Sequence, residues 1–312
     1  MTILIPKISI VTRTKNRNLL LGRCMQTIFS QSITDDLEWI IVNDGGGKHE
    51  VDTVVGALNG EKSNLKTNII HLEQSVGRAS AANIGCEASS GELLVLLDDD
   101  DSWHDTFLEE VAAVFRENNS LSIISTHSER VEEELIGGEI FQQRRENAEF
   151  NSEKISFLGM CAFNRLALNS VVFKKSVFDD IGGFDESMDL LEDYDFFIRA
   201  MLKYDVYVIP KVLSRFHVRV SEKDGSSYAN STTSMQQLHE QTLASYRNKM
   251  IRKDLVDGQI GVGHYLALGE MYHEQILARK EFRLGIQSLF GLVNPVVLVK
   301  KLLGKLRVER NK

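Results

Sequence analysis

Residues 93–103 read LLVLLDDDDSW: five apolar residues, then Asp98, Asp99, Asp100 and Asp101. An apolar run this short, closed by acids, predicts a buried strand rather than a membrane span. Four carboxylates at the end of a core strand cannot all stay ionised and dry. A bound cation or shifted pKa values are therefore expected. A hard divalent cation that bridges to a phosphorylated ligand meets that demand through oxygen ligands.

The same pattern extends outward on both sides. Ile8–Thr12, Trp39–Asn43, Asn68–Leu72 and Leu121–Ser125 read as further strands, and Asn18–Ser30, Val51–Leu58, Ala79–Ala88 and Thr106–Asn118 as the helices between them. Such a βαβα series predicts a mostly parallel sheet covered by helices. Glu129–Asn151 is highly charged and reads as a surface hairpin or loop. Ser170–Val220 resumes with strand SVVF, helix Lys174–Ile181, the turn GGFDE, a helix carrying Tyr194, Phe197, Ile198 and Met201, and two short strands near Val206–Ile209 and Val212–Val218. Ser221–Ser234 is polar and rich in serine, so it reads as a flexible loop. The rest reads as helical, broken late by Pro295.

Composition narrows the function. The chain has 312 residues, is 43% hydrophobic and 26% charged, and carries a net charge of −8, which suits a globular α/β protein. The acidic balance argues against nucleic acid as a partner. Cys24, Cys86 and Cys161 are widely spaced, show no zinc pattern and read as core residues. The N-terminus has no basic segment ahead of a long apolar one, and no run approaches a spanning helix, so the expected location is the cytoplasm. No signal for oligomeric state is legible. A dinucleotide enzyme is disfavoured because no G-x-G-x-x-G follows the first strand, and Gly47–Lys48–His49 is not a P-loop.

Open parallel sheets bind ligands beyond the carboxyl ends of their strands. Three such ends carry polar residues here: Arg13–Arg17, Asp44–Gly47 and Asp98–Asp101. They combine bases suited to phosphate, an acid suited to a donor-rich edge, and an acid tract suited to metal.

Four segments in order resemble the family 2 glycosyltransferases, which have the GT-A fold. They are ISIVTRTKNR, EWIIVNDGG, VGRASAANIGCEASSGELLVLLDDDDSW and SVVFKKSVFDDIGGFDESMDLLEDYDFFIRA. The resemblance spans about residues 7–220. It implies a GT-A domain over 1–220, with a nucleotide-binding part to about 128 and an acceptor part over 129–220, followed by a helical extension over 221–312. It departs from the family at Arg13 and Lys15, where a proline and an aromatic are common, and at Ala82, where an arginine often precedes the asparagine.

The resemblance implies inverting transfer of a sugar from a nucleoside-diphosphate sugar, UDP-linked first of all, to a hydroxyl of a glycan or lipid-linked acceptor. Surface polysaccharide or glycoconjugate synthesis is the expected setting. Arg13, Thr14, Arg17, Asp44, Arg78, Asn83 and Asp98 carry over as nucleotide-sugar contacts, with Gly77 and Gly85 beside them. Asp100, Asp101 and His217 carry over as ligands of Mn²⁺ or Mg²⁺. Asp193, from the pair Glu192–Asp193, carries over as the base that takes the acceptor proton.

Plainer readings stand beside these. Asp193 alone would serve as a helix cap, and Asp195 as an acid at a helix N-terminus. Asp44 before Gly45 would be turn chemistry. Asn83 and Gly85 would serve close packing, His217 a strand end, and Asp99 would point away from its neighbours by strand alternation. The C-terminal VKKLLGKLRVERNK reads either as a basic helix in peripheral contact with the inner face of the membrane or as a helix packed on the enzyme. Two rival functions are a metal-dependent phosphohydrolase using the acid tract and a catalytically inactive glycan- or nucleotide-binding relative.

Overall fold

The apolar runs become strands, and alternate residues of each strand feed opposite faces of one sheet. The computed structural model describes residues 7–57, 62–148, 151–219, 228–230 and 235–292. In chain order the first half contains β1 (Ile8–Thr14), α1 (Asn18–Phe29), β2 (Leu37–Asn43), α2 (Lys48–Gly56), β3 (Leu65–His71), α3 (Arg78–Ala88), β4 (Leu93–Leu96), β5 (Ser102–Trp103) and α4 (Phe107–Glu117). The second half contains β6 (Ile123–Ile136), β7 (Glu139–Asn147), α5 (Phe157–Ala162), β8 (Val171–Lys174), α6 (Lys175–Ile181), α7 (Glu192–Met201), β9 (Val206–Arg219), α8 (Gln236–Asp257) and α9 (Val262–Leu292).

Among the described residues these strands make one nine-stranded sheet in the order β3-β2-β1-β4-β8-β6-β9-β5, with β7 paired to β6. β1, β2, β3 and β4 pair in parallel. β8 then runs antiparallel to both β4 and β6. The sheet is thus mixed, and its parallel half is the βαβα series expected from the sequence.

Ile8, Ile10 and Val95 face a core built with α1, α2 and α4 around Trp39, Trp103 and Phe107. Val11, Leu94 and Leu96 face the opposite core, built with α3, α5, α6, α7 and α8 around Phe173, Phe184 and Phe196. The buried indoles are satisfied: Trp39 Nε1 donates to Thr12 Oγ1 at 2.9 Å and Trp103 Nε1 to the Asn169 carbonyl at 2.7 Å. Each large apolar side chain so buried stabilises the fold by about 1.5–3 kcal/mol. Helix α3 lies close on β1 because its contact positions are small. A Cβ added at Gly85 would sit 2.4 Å from Val11 Cγ1.

The charged stretch after Ser128 takes the first of its two expected forms, a long hairpin, β6–β7. One expectation for the second half needs correction: the two short strands near Val206–Ile209 and Val212–Val218 are one strand, β9. Charge did not stop pairing, because acids and bases meet across the ladders. Arg215 Nε reaches Glu129 at 2.6 Å, and Glu133 sits in register with Arg219. Irregular register around Thr126–Ser128 takes up the mismatch between β6 and β9.

Helices α8 and α9 pack against one another, and α9 packs on α5. No helix among the described residues is long and apolar enough to cross a membrane. The basic tail at residues 300–312 and most of the Ser221–Ser234 loop lie outside the described residues.

Candidate active site

The three polar strand ends meet: arginines join the first to the acid tract, and an asparagine joins it to the loop after β2. From β1, Arg13 grips Asp98 with two parallel bonds, Nε to Oδ1 at 2.8 Å and Nη2 to Oδ2 at 2.7 Å. Thr14 Oγ1 donates to Asp99 Oδ2 at 2.7 Å. Arg17, just before α1, lies 3.2 Å from Asp99 and 3.4 Å from Asp100. Asn16 accepts from the Gly47 amide at 3.0 Å, which ties the end of β1 to the loop after β2.

Burial gives the acid tract unequal charges. Desolvation pushes the Asp99 carboxyl up to about 7 against the pull of Arg17. Burial also pushes Asp101 well up, helped by the charges of Asp100 and Asp98. For Asp100, burial is outweighed by Arg219 and Arg17, which hold its carboxyl well below the usual range. The tract therefore reads as one firmly ionised carboxylate flanked by two reluctant ones. Asp99 is buried against β1 and α1 rather than turned out of the group.

The pair Glu192–Asp193 closes the other wall. Leu191 takes a left-handed backbone (φ 66°), costly for a residue with a Cβ, and turns the chain into α7. Glu192 Oε1 then receives Arg13 Nη1 at 2.9 Å and lies 3.4 Å from Arg78 Nε. Arg78 opens α3 and is 45% exposed. Asp193 is half-buried, and its carboxyl bonds the Tyr194 amide at 2.8 Å. Desolvation, followed by the adjacent Glu192 charge, pushes its carboxyl up to about 6. A groove of about 430 Å³ opens between Ser187–Leu190 and α8, where Gln241, Thr242 and Lys249 line it.

Other expected contacts are held by the protein itself. Asp44 accepts from Ser75 Oγ and the Val76 amide, each at 2.6 Å, and so fixes the loop before α3. Asn83 clasps the GGFDE turn: its amide donates to the Phe184 carbonyl at 3.0 Å and to Glu186 at 2.8 Å, and its oxygen accepts from the Phe184 amide at 2.8 Å.

His217 is a correction. Its side chain is buried, with Nδ1 on Glu133 at 2.9 Å and Nε2 on Ser102 Oγ at 2.7 Å. Burial lowers its pKa, so the ring is neutral. An ionised carboxylate only accepts, so Nδ1 carries the hydrogen and Nε2 accepts from the serine. Both nitrogens are engaged, and the ring connects β9 to β5 instead of presenting a lone pair to an ion.

Three residues that sequence reading missed complete the site: Arg23, Glu133 and Arg219. Arg219 Nη2 reaches Asp100 Oδ2 at 2.5 Å, and Arg23 donates to the Asp100 carbonyl. A charged residue inside the otherwise uncharged helix NLLLGRCMQTIF was a signal for Arg23. Glu133 and Arg219 gave none without the β6–β9 register.

No group of three His, Cys, Asp or Glu side chains among the described residues is gathered as a closed metal cage. Magnesium and its like often need only one or two carboxylates, with substrate phosphates and water completing the shell. Asp100 suits that arrangement: it is ionised, and its side-chain contacts run through Oδ2.

The sequence profile described as "Glycosyl transferase family 2" matches residues 9–172. The uncharacterized glycosyltransferase YwdF of Bacillus subtilis is 30% identical over 204 residues, 65% of this chain and 71% of its own. In structure, the chain is similar to TarS from S. aureus in complex with UDP, with a TM-score of 0.53 and 18% identity over 68% of this chain; it spans only 60% of that one. It is also similar to the mannosyltransferase PcManGT from Pyrobaculum calidifontis in complex with GDP-Man and Mn²⁺, with a TM-score of 0.58 and 17% identity over 93% of this chain and 81% of that one. These neighbours share the GT-A fold, a mixed sheet flanked by helices with further helices at the C-terminal end. The chain belongs to glycosyl transferase family 2 and is a glycosyltransferase.

Proposed function

We propose that this enzyme moves a sugar from a nucleoside-diphosphate sugar, UDP-linked in the first instance, to a hydroxyl of a glycan or lipid-linked acceptor, with inversion. The observation that carries the proposal is the position of Arg13, ion-paired at once with Asp98 and Glu192. One buried cation thereby ties the acid tract to the segment that holds the general base.

In this reading Asp193 takes the proton of the attacking hydroxyl. A carboxyl pushed to about 6 suits that work, because it is ionised near neutrality yet more basic than an ordinary aspartate. Glu192, fixed between Arg13 and Arg78, keeps its negative charge next door and sustains that basicity. Arg17 and Arg78, partly exposed on the cleft side of Asp99 and Glu192, bind and orient the diphosphate. Asp100, with Asp101 beside it, would hold a Mn²⁺ or Mg²⁺ ion, which when bound stabilises charge on the nucleoside-diphosphate leaving group. The bound nucleotides and the Mn²⁺ in the similar structures support this donor and this cation. The groove between Ser187–Leu190 and α8 opens three residues before Asp193 and suits the acceptor.

The proposal keeps residues 1–220 as the catalytic unit and 221–312 as a helical extension. It sets the enzyme in the cytoplasm, in peripheral contact with the membrane through residues 300–312. Support for that contact is the mixture of basic residues and leucines in the tail sequence.

The test is calorimetry of the full chain with UDP, GDP and their sugar conjugates, with and without Mn²⁺, followed by nucleotide release in the presence of glycan acceptors. Binding of one nucleotide that strengthens with Mn²⁺ is expected. Absence of binding to every nucleoside diphosphate would overturn the proposal.

A further inference from the structure

One buried carboxylate stands behind the acid tract and touches none of it directly. Glu133, on β6, is 0% exposed. Its Oε2 receives Arg23 Nη1 at 2.7 Å and His217 Nδ1 at 2.9 Å, and its Oε1 receives Arg219 Nη1 at 3.1 Å. Each partner then reaches forward to Asp100–Ser102. Arg23 donates to the Asp100 carbonyl, Arg219 donates to Asp100 Oδ2 at 2.5 Å, and His217 accepts from Ser102 at 2.7 Å while its own amide donates to Asp101 at 3.1 Å. The register of the ladder makes this possible: β6 sets Val131 and Glu133 opposite His217 and Arg219 of β9.

The arrangement has an electrostatic consequence. Arg219 is a single positive charge shared by two carboxylates, in a place where its side chain is 0% exposed and water screens little. With Glu133 ionised, part of that charge is compensated from behind, and Asp100 keeps negative potential toward the cleft. With Glu133 neutral, the guanidinium would turn its whole charge on Asp100, and Asp100 would attract a second cation less.

We propose that Glu133 is a positioning residue that restrains Arg219 from neutralising Asp100 and thereby sets the affinity of Asp100 for a divalent cation. The inference rests on Asp100 being the carboxylate that takes the cation.

The experiment titrates Mn²⁺ alone into the full chain and reads free Mn²⁺ by electron paramagnetic resonance, with no nucleotide present. Glu133→Gln is expected to weaken Mn²⁺ binding by roughly tenfold, the size of one pKa unit of interaction. Arg219→Gln is expected to strengthen it. The double variant is expected to bind like Arg219→Gln, because Glu133 acts through Arg219. A purely structural role for Glu133 would lower the melting temperature without these opposite shifts. Asp100→Asn is the control. If it loses Mn²⁺ binding while Glu133→Gln binds as the native chain does, the inference fails and the cation assignment stands. If Asp100→Asn binds Mn²⁺ unchanged, both fail. If Glu133→Gln does not fold, Arg219→Gln decides: stronger binding supports the inference, and unchanged or weaker binding overturns it.

Discussion

Arg13 and Glu192 form an ion pair at 2.9 Å, with the guanidinium 7% exposed and the carboxylate 2% exposed. They lie 179 residues apart, and the same guanidinium grips Asp98 on its other edge. The pair therefore sets the distance between the two walls of the cleft. It also accounts for the departure from the family at position 13, since a proline there could not bridge two acids.

Arg13→Gln should destabilise the fold by about 3–5 kcal/mol, because it leaves Glu192 and Asp98 without their shared cation. Urea denaturation measures this. Arg13→Lys should recover only part of the loss, since a point charge cannot reproduce the two-pronged grip on Asp98. Full stability in the glutamine variant would mean that the two walls are held by other contacts.

Asp193→Asn should bind the nucleotide as the native enzyme does and lose about 10²–10⁴-fold in transfer, the usual worth of a positioned base. In the native enzyme the rate should fall as pH drops through about 6, where Asp193 takes up a proton. A pH–rate profile on saturating donor would show that limb. Its absence would move the base elsewhere.

The parallel half of the fold was legible because β1, β2 and β4 carry apolar residues toward both faces and are followed by polar residues, as strands of a covered sheet are. The acid tract was legible for the same reason. What lay hidden was pairing. Nothing local to Glu133 tells that it is buried, for its neighbours Glu132 and Glu134 are also acids and only the ladder to β9 turns it inward. The outward parts of the constellation, Arg17 and Asp100, could be read from motif order. The inward ones, Glu133 and Arg219, needed the register. His217 misled for a related reason: a histidine near a metal motif suggests a ligand, and only the positions of Ser102 and Glu133 show both nitrogens taken.

Asn83 and Gly183 offer a separate test of the turn before α7. Gly183 has φ +72°, and a Cβ there would lie 2.7 Å from Asn83 Oδ1. Gly183→Ala should cost about 1–3 kcal/mol through backbone strain and this clash. Asn83→Ala should cost a similar amount, about 1–3 kcal/mol, by stranding the buried Phe184 amide. The two share one clasp, so the double variant should lose less than the sum of the singles. Strict additivity in chemical denaturation would show that the clasp is not a unit.

Stability should depend on pH with two opposing signs in one small region. Glu133 is held at about 2 against an ordinary 4.5: burial alone would raise it, but His217 and Arg23 more than offset that. Between those values the unfolded chain binds the proton and the folded chain does not, so this contribution is present above pH 4.5 and drains away as pH falls toward 2. Asp99 behaves in the opposite way. Burial raises it from 3.8 to about 7, so over that window the folded chain keeps a proton that the unfolded chain has released. Raising the pH from 3.8 to 7 therefore removes stability at Asp99. Urea denaturation across pH 2–8 for the native chain, Glu133→Gln and Asp99→Asn separates the two. The native-minus-Glu133→Gln difference should grow from pH 2 to 4.5 and then level, and the native-minus-Asp99→Asn difference should shrink from pH 3.8 to 7. Parallel curves for all three proteins would mean that neither carboxyl is perturbed by its surroundings as described.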